Sequence, residues 1–285
     1  MSRLGKWTVR GLIAIFAIAV TALGFVYVAS ENLLDRRYPL PASSIHASVG
    51  PAAIIRGERL AHAFGCADCH SKNLQGAFIP DFGVWSRNLT RLAPEFSDAD
   101  FDRAIRRGLR PDGASVAEYM PSDAFQYMQD ADLADVVAYI RSLPPRGSSP
   151  PVPSYGLVKR LGLLLGFAKT GQMWFPLQKP ALDLGQRYER GRRLAMTACG
   201  ECHTTSLKGA LPAQPGLPPD LSIVAAYERA DFLHFMHTGK AAGNRELPMM
   251  SAVARVRIGH LGDADLNALY DYLAARGRKL AGSGG

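Results

Sequence analysis

The sequence has no stretch of alternating apolar and polar residues long enough to pair into a sheet, so helices joined by polar loops must carry the fold. It also lacks an interleaved stripe of basic and aromatic residues. The formal charge of +8 comes from scattered side chains, three of which, Arg3, Lys6 and Arg10, precede an apolar run. That pattern excludes a nucleic-acid surface, so no nucleic acid is expected among the partners. A hydrophobic fraction of 47% and a charged fraction of 20% exclude both a disordered tail and a polytopic membrane protein. Cysteine is scarce as well: all four fall in two copies of one pattern, with no thiol left over for a disulfide framework.

The one long apolar run, Gly11 to Ser30, carries no charge. At about 1.5 Å per residue a helix of that length reaches across about 30 Å of hydrocarbon. Basic residues precede it, and Glu31 and Asp35 follow it. The positive-inside rule then leaves the N-terminus in the cytoplasm and exports the rest. A cleaved signal peptide is the competing reading. The run is longer than a signal core, and Tyr27 and Val28 do not suit an A-x-A cleavage site, which favours a retained anchor.

The four cysteines read Cys66-Ala67-Asp68-Cys69-His70 and Cys199-Gly200-Glu201-Cys202-His203. C-x-x-C-H is the attachment pattern of c-type heme. Two thiols add across the vinyl groups of one porphyrin, and the histidine that follows lies under the iron, so His70 and His203 are the expected proximal ligands. Two covalently attached hemes follow. A zinc site would need closer pairs than these, which lie 133 positions apart. A thioredoxin-like redox pair would need a βαβ setting that neither motif has.

Laying the second motif on the first exposes a repeat. Leu74 and Gly76 follow His70 as Leu207 and Gly209 follow His203, and Asn88-Leu89-Thr90 meets Asp220-Leu221-Ser222 after a shift of one residue. Asp98-Ala99-Asp100-Phe101 lies over Arg229-Ala230-Asp231-Phe232, and seven residues later stands Gly108 or Gly239. Met120 follows Gly108 by twelve residues and Met250 follows Gly239 by eleven. A closing helix opens with Asp-Ala-Asp-Leu in both copies, at Leu133 and Leu266, with Tyr139 and Tyr272 six residues on. A methionine therefore stands at the same point of each module, where a loop can return over the open face of a heme and complete His/Met ligation, which raises the potential. Met249 adjoins Met250 and competes with it, and Met128 aligns with Leu261 as an apolar contact. His234 and His237 fall where Arg103 and Arg106 stand and read as an exposed face. His62 and His260 read as surface or packing residues, and His46 lies in the lead from the anchor.

Helical stripes at Leu133, Val137 and Ile140, and at Leu266, Leu269, Tyr270 and Leu273, should pack across the helices entering the two motifs, Arg56 to Phe64 and Glu189 to Met196. Ser97, three residues before Asp100, reads as a helix start, and Gly108 as its stop. The run Leu143 to Ser154 reads as a stiff linker, followed by an apolar stretch, Tyr155 to Phe167, too short to span a bilayer and expected to pack between the modules, with capping a heme edge or lying on the membrane surface as the alternatives. The expected architecture is all-α: an anchor over 1–30, a first module over 50–145, a linker over 146–182 and a second module over 183–280.

On these residues the exported part resembles the class I cytochrome c family in tandem, above all the membrane-anchored diheme cytochromes of proteobacteria. Also similar are the turn Arg110-Pro111-Asp112-Gly113, Met120-Pro121-Ser122, and the run Ala138 to Pro144. The resemblance implies an all-helical fold, covalent heme c and electron transfer through exposed heme edges, with Asn88 steadying a propionate or the methionine loop. The second copy departs from it, with Asp220 for Asn88 and no proline after Met250. The expected role is an electron carrier in the periplasm, held at the bacterial inner membrane. Its expected donor is a dehydrogenase or quinol oxidase, and its acceptor an oxidase or soluble cytochrome. A cytochrome subunit of a membrane dehydrogenase complex and a diheme peroxidase are the alternatives. The peroxidase would need a vacant sixth position, which two placed methionines oppose, and Trp85 reads as a buried packing residue rather than a radical relay.

Overall fold

The computed structural model describes residues 3–80, 84–117, 119–150, 155–175, 178–210 and 216–282. Helix α1 (Arg3–Leu34) is exposed along most of its length, and its stretch from Trp7 to Leu34 is long and apolar enough to cross a membrane. Beyond it, residues 35–48 run over the first module. The Tyr38 amide donates to the Gly113 carbonyl at 2.8 Å, the Ala47 amide to the Asp98 carboxylate at 2.8 Å, and Arg103 to the Pro41 carbonyl at 2.9 Å.

The first module comprises α2 (Pro51–Ala63), α3 (Cys66–His70), a hairpin of β1 (Phe78–Ile79) and β2 (Val84–Trp85), α4 (Leu89–Leu92), α5 (Asp98–Arg107), α6 (Ser122–Phe125) and α7 (Asp130–Ser142). Helices α8 (Leu157–Leu164) and α9 (Gly171–Trp174) lead to the second module. That module has α10 (Glu189–Leu194), a π turn over Ala195–Cys199, α11 (Gly200–His203), a 3₁₀ turn over Leu221–Ala226 and α12 (Arg229–Thr238). A hairpin of β3 (Lys240–Ala241) and β4 (Arg245–Glu246), α13 (Met250–Val256), a second 3₁₀ turn over Ile258–His260 and α14 (Asp263–Gly282) complete it.

Local chemistry sets the ends of these helices. Ser97 and Asp100 form a reciprocal capping box at the start of α5, and Gly108 (φ 61°) and Gly239 (φ 74°) take the left-handed conformation that stops α5 and α12. The expected stripes are buried: Leu133, Val137 and Ile140 on α7, and Leu266, Leu269 and Leu273 on α14. Tyr270 stays half-buried and donates its hydroxyl to the Tyr227 carbonyl at 2.8 Å.

Each module is built on one close helix crossing. Helix α2 crosses α7 at Gly57, where an added Cβ would lie 2.0 Å from the Asp135 carbonyl oxygen. Helix α10 crosses α14 at Gly191, where it would lie 2.0 Å from that of Ala268. In both cases the next residue met is the repeated tyrosine, with the Cβ of Tyr139 at 2.9 Å or that of Tyr272 at 2.8 Å. Absence of a side chain lets the two backbones touch, and that contact fixes where each helix delivers its cysteine pentapeptide.

The modules share one continuous apolar cluster, running from Ile45 through Leu133 and Leu194 to Leu273. They are also joined by polar contacts. Arg190 on α10 reaches Asp132 on α7 of the first module and Asp265 on α14 of its own, the same position of the two Asp-Ala-Asp-Leu motifs. His62 stacks on His260 across the boundary with ring centres 4.7 Å apart.

Two expectations are corrected here. The run after α7 does not stretch between the modules, because Asn88 and Arg91 hold the carbonyls of Arg146, Ser148 and Gly147 against the first one; residues 151–154 lie outside the described part. The apolar stretch from Tyr155 packs on α1 rather than between modules. Arg160 of α8 meets Glu31 at 2.7 Å, donates to the Ser30 hydroxyl at 2.8 Å and lies 4.5 Å from the Tyr27 ring, so its charge is matched where the apolar run of α1 ends. Val158 and Phe167 are left exposed.

Gly57→Ala or Gly191→Ala should cost at least about 2 kcal/mol of stability through backbone clash. Thermal unfolding of the full chain measures it. Gly156→Ala, at φ −68° with open space around it, should leave the midpoint unchanged.

Candidate functional site

Both pentapeptides sit at the end of the helix that makes the glycine crossing, but they are reached differently. In the first, α2 stops and Gly65, at φ 75°, turns the chain into α3. In the second, the π turn carries the helix straight into the motif. After each histidine the backbone makes the same sharp reversal, with Ser71 (φ 66°) and Leu74 (φ 55°) in one copy and Thr204 (φ 61°) and Leu207 (φ 62°) in the other. Non-glycine residues enter this region only when their surroundings force them. Here matching hydrogen bonds do so: Gly76 to the His70 carbonyl and Gly209 to that of His203, both at 2.9 Å, then Leu89 to Leu74 and Leu221 to Leu207.

The reversal returns a carbonyl to each imidazole. His70 Nδ1 donates to the Arg87 carbonyl at 2.7 Å, and His203 Nδ1 donates to the Pro219 carbonyl at 2.7 Å. A carbonyl can only accept, so Nδ1 carries the proton and Nε2 keeps its lone pair for a metal. Burial lowers the pKa of both imidazoles, against the opposing pull of those carbonyls, which favours the neutral ring a metal needs. None of the four cysteines is taken up in a disulfide. Burial pushes Cys66 and Cys199 up to about 12, and burial also raises Cys69 and Cys202. A dithiol redox pair needs the opposite shift. Among the described residues no three His, Cys, Asp or Glu side chains gather as a cage for a bare metal ion. One imidazole and two thiols on one short segment instead suit a group that brings its own in-plane donors, as heme does.

Met120 and Met250 are half-buried against the apolar cluster, as are Cys66 and Cys199, whereas Met249 is 68% exposed. The Met120 loop is tied down at Ser122, whose hydroxyl donates to the Ala104 carbonyl at 3.0 Å. In the second module Ser251, next to Met250, accepts from the Leu247 amide at 2.8 Å.

The Asn88 side chain is fully engaged within the first module. Its amide is spent on the Arg146 and Ser148 carbonyls, and its side-chain oxygen caps α4 by accepting from the Arg91 amide. Asp220 performs the same tie by other means. It receives the Arg276 guanidinium at 2.8 Å, because α14 runs on past the point where α7 stops and brings an arginine, rather than open carbonyls, to this place. Arg276 lowers the pKa of Asp220 despite its partial burial.

Two other expectations change. Trp85 is 44% exposed on β2 beside Phe78, because its hairpin is too short to cover it. Arg106 is buried between Asp102 and Asp130, so that helix face is not exposed in the first module. His237 does stay on the surface, at 3.1 Å from Asp263, the counterpart of Asp130. Sequence reading also missed Arg87 and Pro219, although the shifted repeat match places them one residue before Asn88 and Asp220.

Residues 54–144 and 188–276 each match the Cytochrome c family, together well over half of the chain. The chain is 27% identical to the fructose dehydrogenase cytochrome subunit of Gluconobacter japonicus, over 82% of this chain and 54% of that protein. It is 30% identical to a diheme cytochrome c-type protein of Cereibacter sphaeroides, over 52% of this chain and 56% of that protein. It is 25% identical to the cytochrome c subunit of a quinone alcohol dehydrogenase of Gluconobacter oxydans, over 80% of this chain and 56% of that protein. The chain thus spans about half the length of the curated relatives it matches. With two matched domains and two pentapeptides shaped alike, the chain belongs to the cytochrome c family, as an electron-transfer protein with two heme c groups.

Proposed function

We propose that Cys66 and Cys69 hold one heme and Cys199 and Cys202 the other, in domains spanning 50–145 and 183–280. His70 and His203, through Nε2, and Met120 and Met250, through sulfur, would be the residues that hold the two irons. The observation that carries this reading is the repeated bond from Nδ1 to a main-chain carbonyl, which leaves the metal-facing nitrogen free in both modules. The chain's own residues orient these ligands, exclude water from the histidine side and set the potential, while bound heme supplies the one-electron chemistry. The exposure of Met249 supports Met250 as the second sulfur ligand.

The donor we infer is a membrane dehydrogenase and the acceptor an oxidase or soluble cytochrome, with the chain itself carrying electrons rather than transforming a substrate. The relatives named as dehydrogenase cytochrome subunits, which align with about four-fifths of this chain, support a place as such a subunit. Helix α1 anchors the heme domains at the periplasmic face of the inner membrane. Support comes from the grip of Arg160 on Tyr27, Ser30 and Glu31, since a helix bound to the folded part behaves as a component of it rather than as a discarded leader.

Redox titration of the protein matured in its native host, followed optically and by magnetic resonance, should show two low-spin centres with a sulfur-to-iron band, and intact mass should show two porphyrins. Met120→Ala should remove that band from one centre and lower its potential, within the roughly 0.8 V that axial ligands command. Met250→Ala should do so at the other, and Met249→Ala should change neither. Spectra with nitrogen ligation alone, or peroxide-dependent turnover, would overturn the carrier reading.

For the anchor, the mature protein should retain residues 11–30 and resist extraction from membranes by alkaline carbonate. Deletion of residues 1–34 behind a cleavable export signal should release heme-bearing protein to the soluble fraction. A mature N-terminus near Glu31 would refute the anchor.

A further inference from the structure

One arginine grips both heme-attachment segments. Arg257 lies between α13 and the 3₁₀ turn Ile258–His260. Its Nε donates to the Asp68 carboxylate and its Nη1 to the Glu201 carboxylate at 2.7 Å. Asp68 and Glu201 occupy the same position of the two pentapeptides, immediately before the second cysteine. The Arg257 side chain is only 17% exposed, so the contact is held in a partly dry setting where a fork-shaped cation between two carboxylates is strong.

The fit extends to the backbone. A Cβ on Gly65, the residue before Cys66, would lie 2.7 Å from the Arg257 guanidinium carbon. On the repeat, Arg257 stands four residues before Leu261, and Ala124 stands four before Met128. Ala124 in turn touches the second pentapeptide, with its Cβ 3.4 Å from a Cβ placed on Gly200. Each module thus leans its pre-closing segment on the other module's pentapeptide, and one of these two segments carries a positive charge. Arg190 and the His62–His260 stack hold the same boundary nearby.

We propose that Arg257 is a positioning residue for electron exchange between the two hemes. This rests on the two pentapeptides being the attachment sites. A thioether sulfur is fused to the porphyrin rim, so a side chain bridging the two pentapeptides fixes how closely the two rims approach. The same charge, set beside both segments, favours the more negative, reduced state of each centre. Across this boundary one electron passes from the reduced centre to the oxidised one, with no bond made or broken and no proton moved.

The test uses the full-length, heme-loaded chain with Arg257→Gln and Arg257→Lys. In the Gln variant both midpoint potentials should shift negative together, the magnetic coupling between the two oxidised centres should weaken, and electron exchange after rapid reduction of one centre should slow. In the Lys variant, which keeps the charge but cannot fork between two carboxylates, both potentials should hold while exchange still slows. If the Gln variant fails to mature, the Lys variant alone decides. Unchanged exchange and coupling, or a shift confined to one centre, would overturn the proposal. Intact mass separates this from failure of the attachment reading: a wild-type chain without two porphyrins sinks that reading, whereas two porphyrins with unaltered exchange sink only the role of Arg257.

Discussion

An imidazole can offer only one nitrogen to a metal once the other is bonded, and in both modules the main chain makes that choice. The Arg87 and Pro219 carbonyls accept from Nδ1 at the same distance, and the turns around them return those carbonyls to that place. The left-handed turns after each histidine, the amide bonds that close them, and the side-chain ties at Asn88 and Asp220 form one continuous brace. An outer partner of this kind fixes tautomer and ring orientation.

The two copies show which parts of the module tolerate change. The glycine crossing and the carbonyl-to-imidazole bond are preserved in geometry. The tie beneath them is not preserved in chemistry: an amide reads two carbonyls in one copy and a carboxylate holds a guanidinium in the other. The entry to the pentapeptide differs too, with a left-handed glycine in one module and a π turn in the other. A brace can be rebuilt from different parts so long as it ends at the same atom. The middle-helix cation shows the same freedom, since Arg106 is buried on Asp130 while His237 meets Asp263 at the surface.

Much of this could be read from the sequence because it is local or repeated. The pentapeptides, the Ser97 cap, the stops at Gly108 and Gly239 and the buried stripes of the closing helices each depend on residues within a few turns of one another. What escaped depends on contacts between distant segments. Gly57 and Gly191 look like ordinary helix glycines until a carbonyl from another helix is brought against them. The Asp-Ala-Asp-Leu motifs stood out as a pattern, yet their third residues gained a role only when Arg190 was found between them. Likewise, the apolar stretch from Tyr155 carried no sign of its partner. Its arginine is matched by a glutamate 129 positions away, and periodicity cannot report such a pairing.

The long reach of Arg257 has a consequence for biogenesis. Its contact with Asp68 spans 189 positions of chain. In a polypeptide folding as it emerges from its N-terminus, the contact at the first pentapeptide can therefore form only after 189 further positions have followed Asp68. The second pentapeptide appears late and has its partner arginine almost at hand, with 56 positions between them. The shared arginine thus closes late on the first motif and soon on the second, and then holds both in one seam.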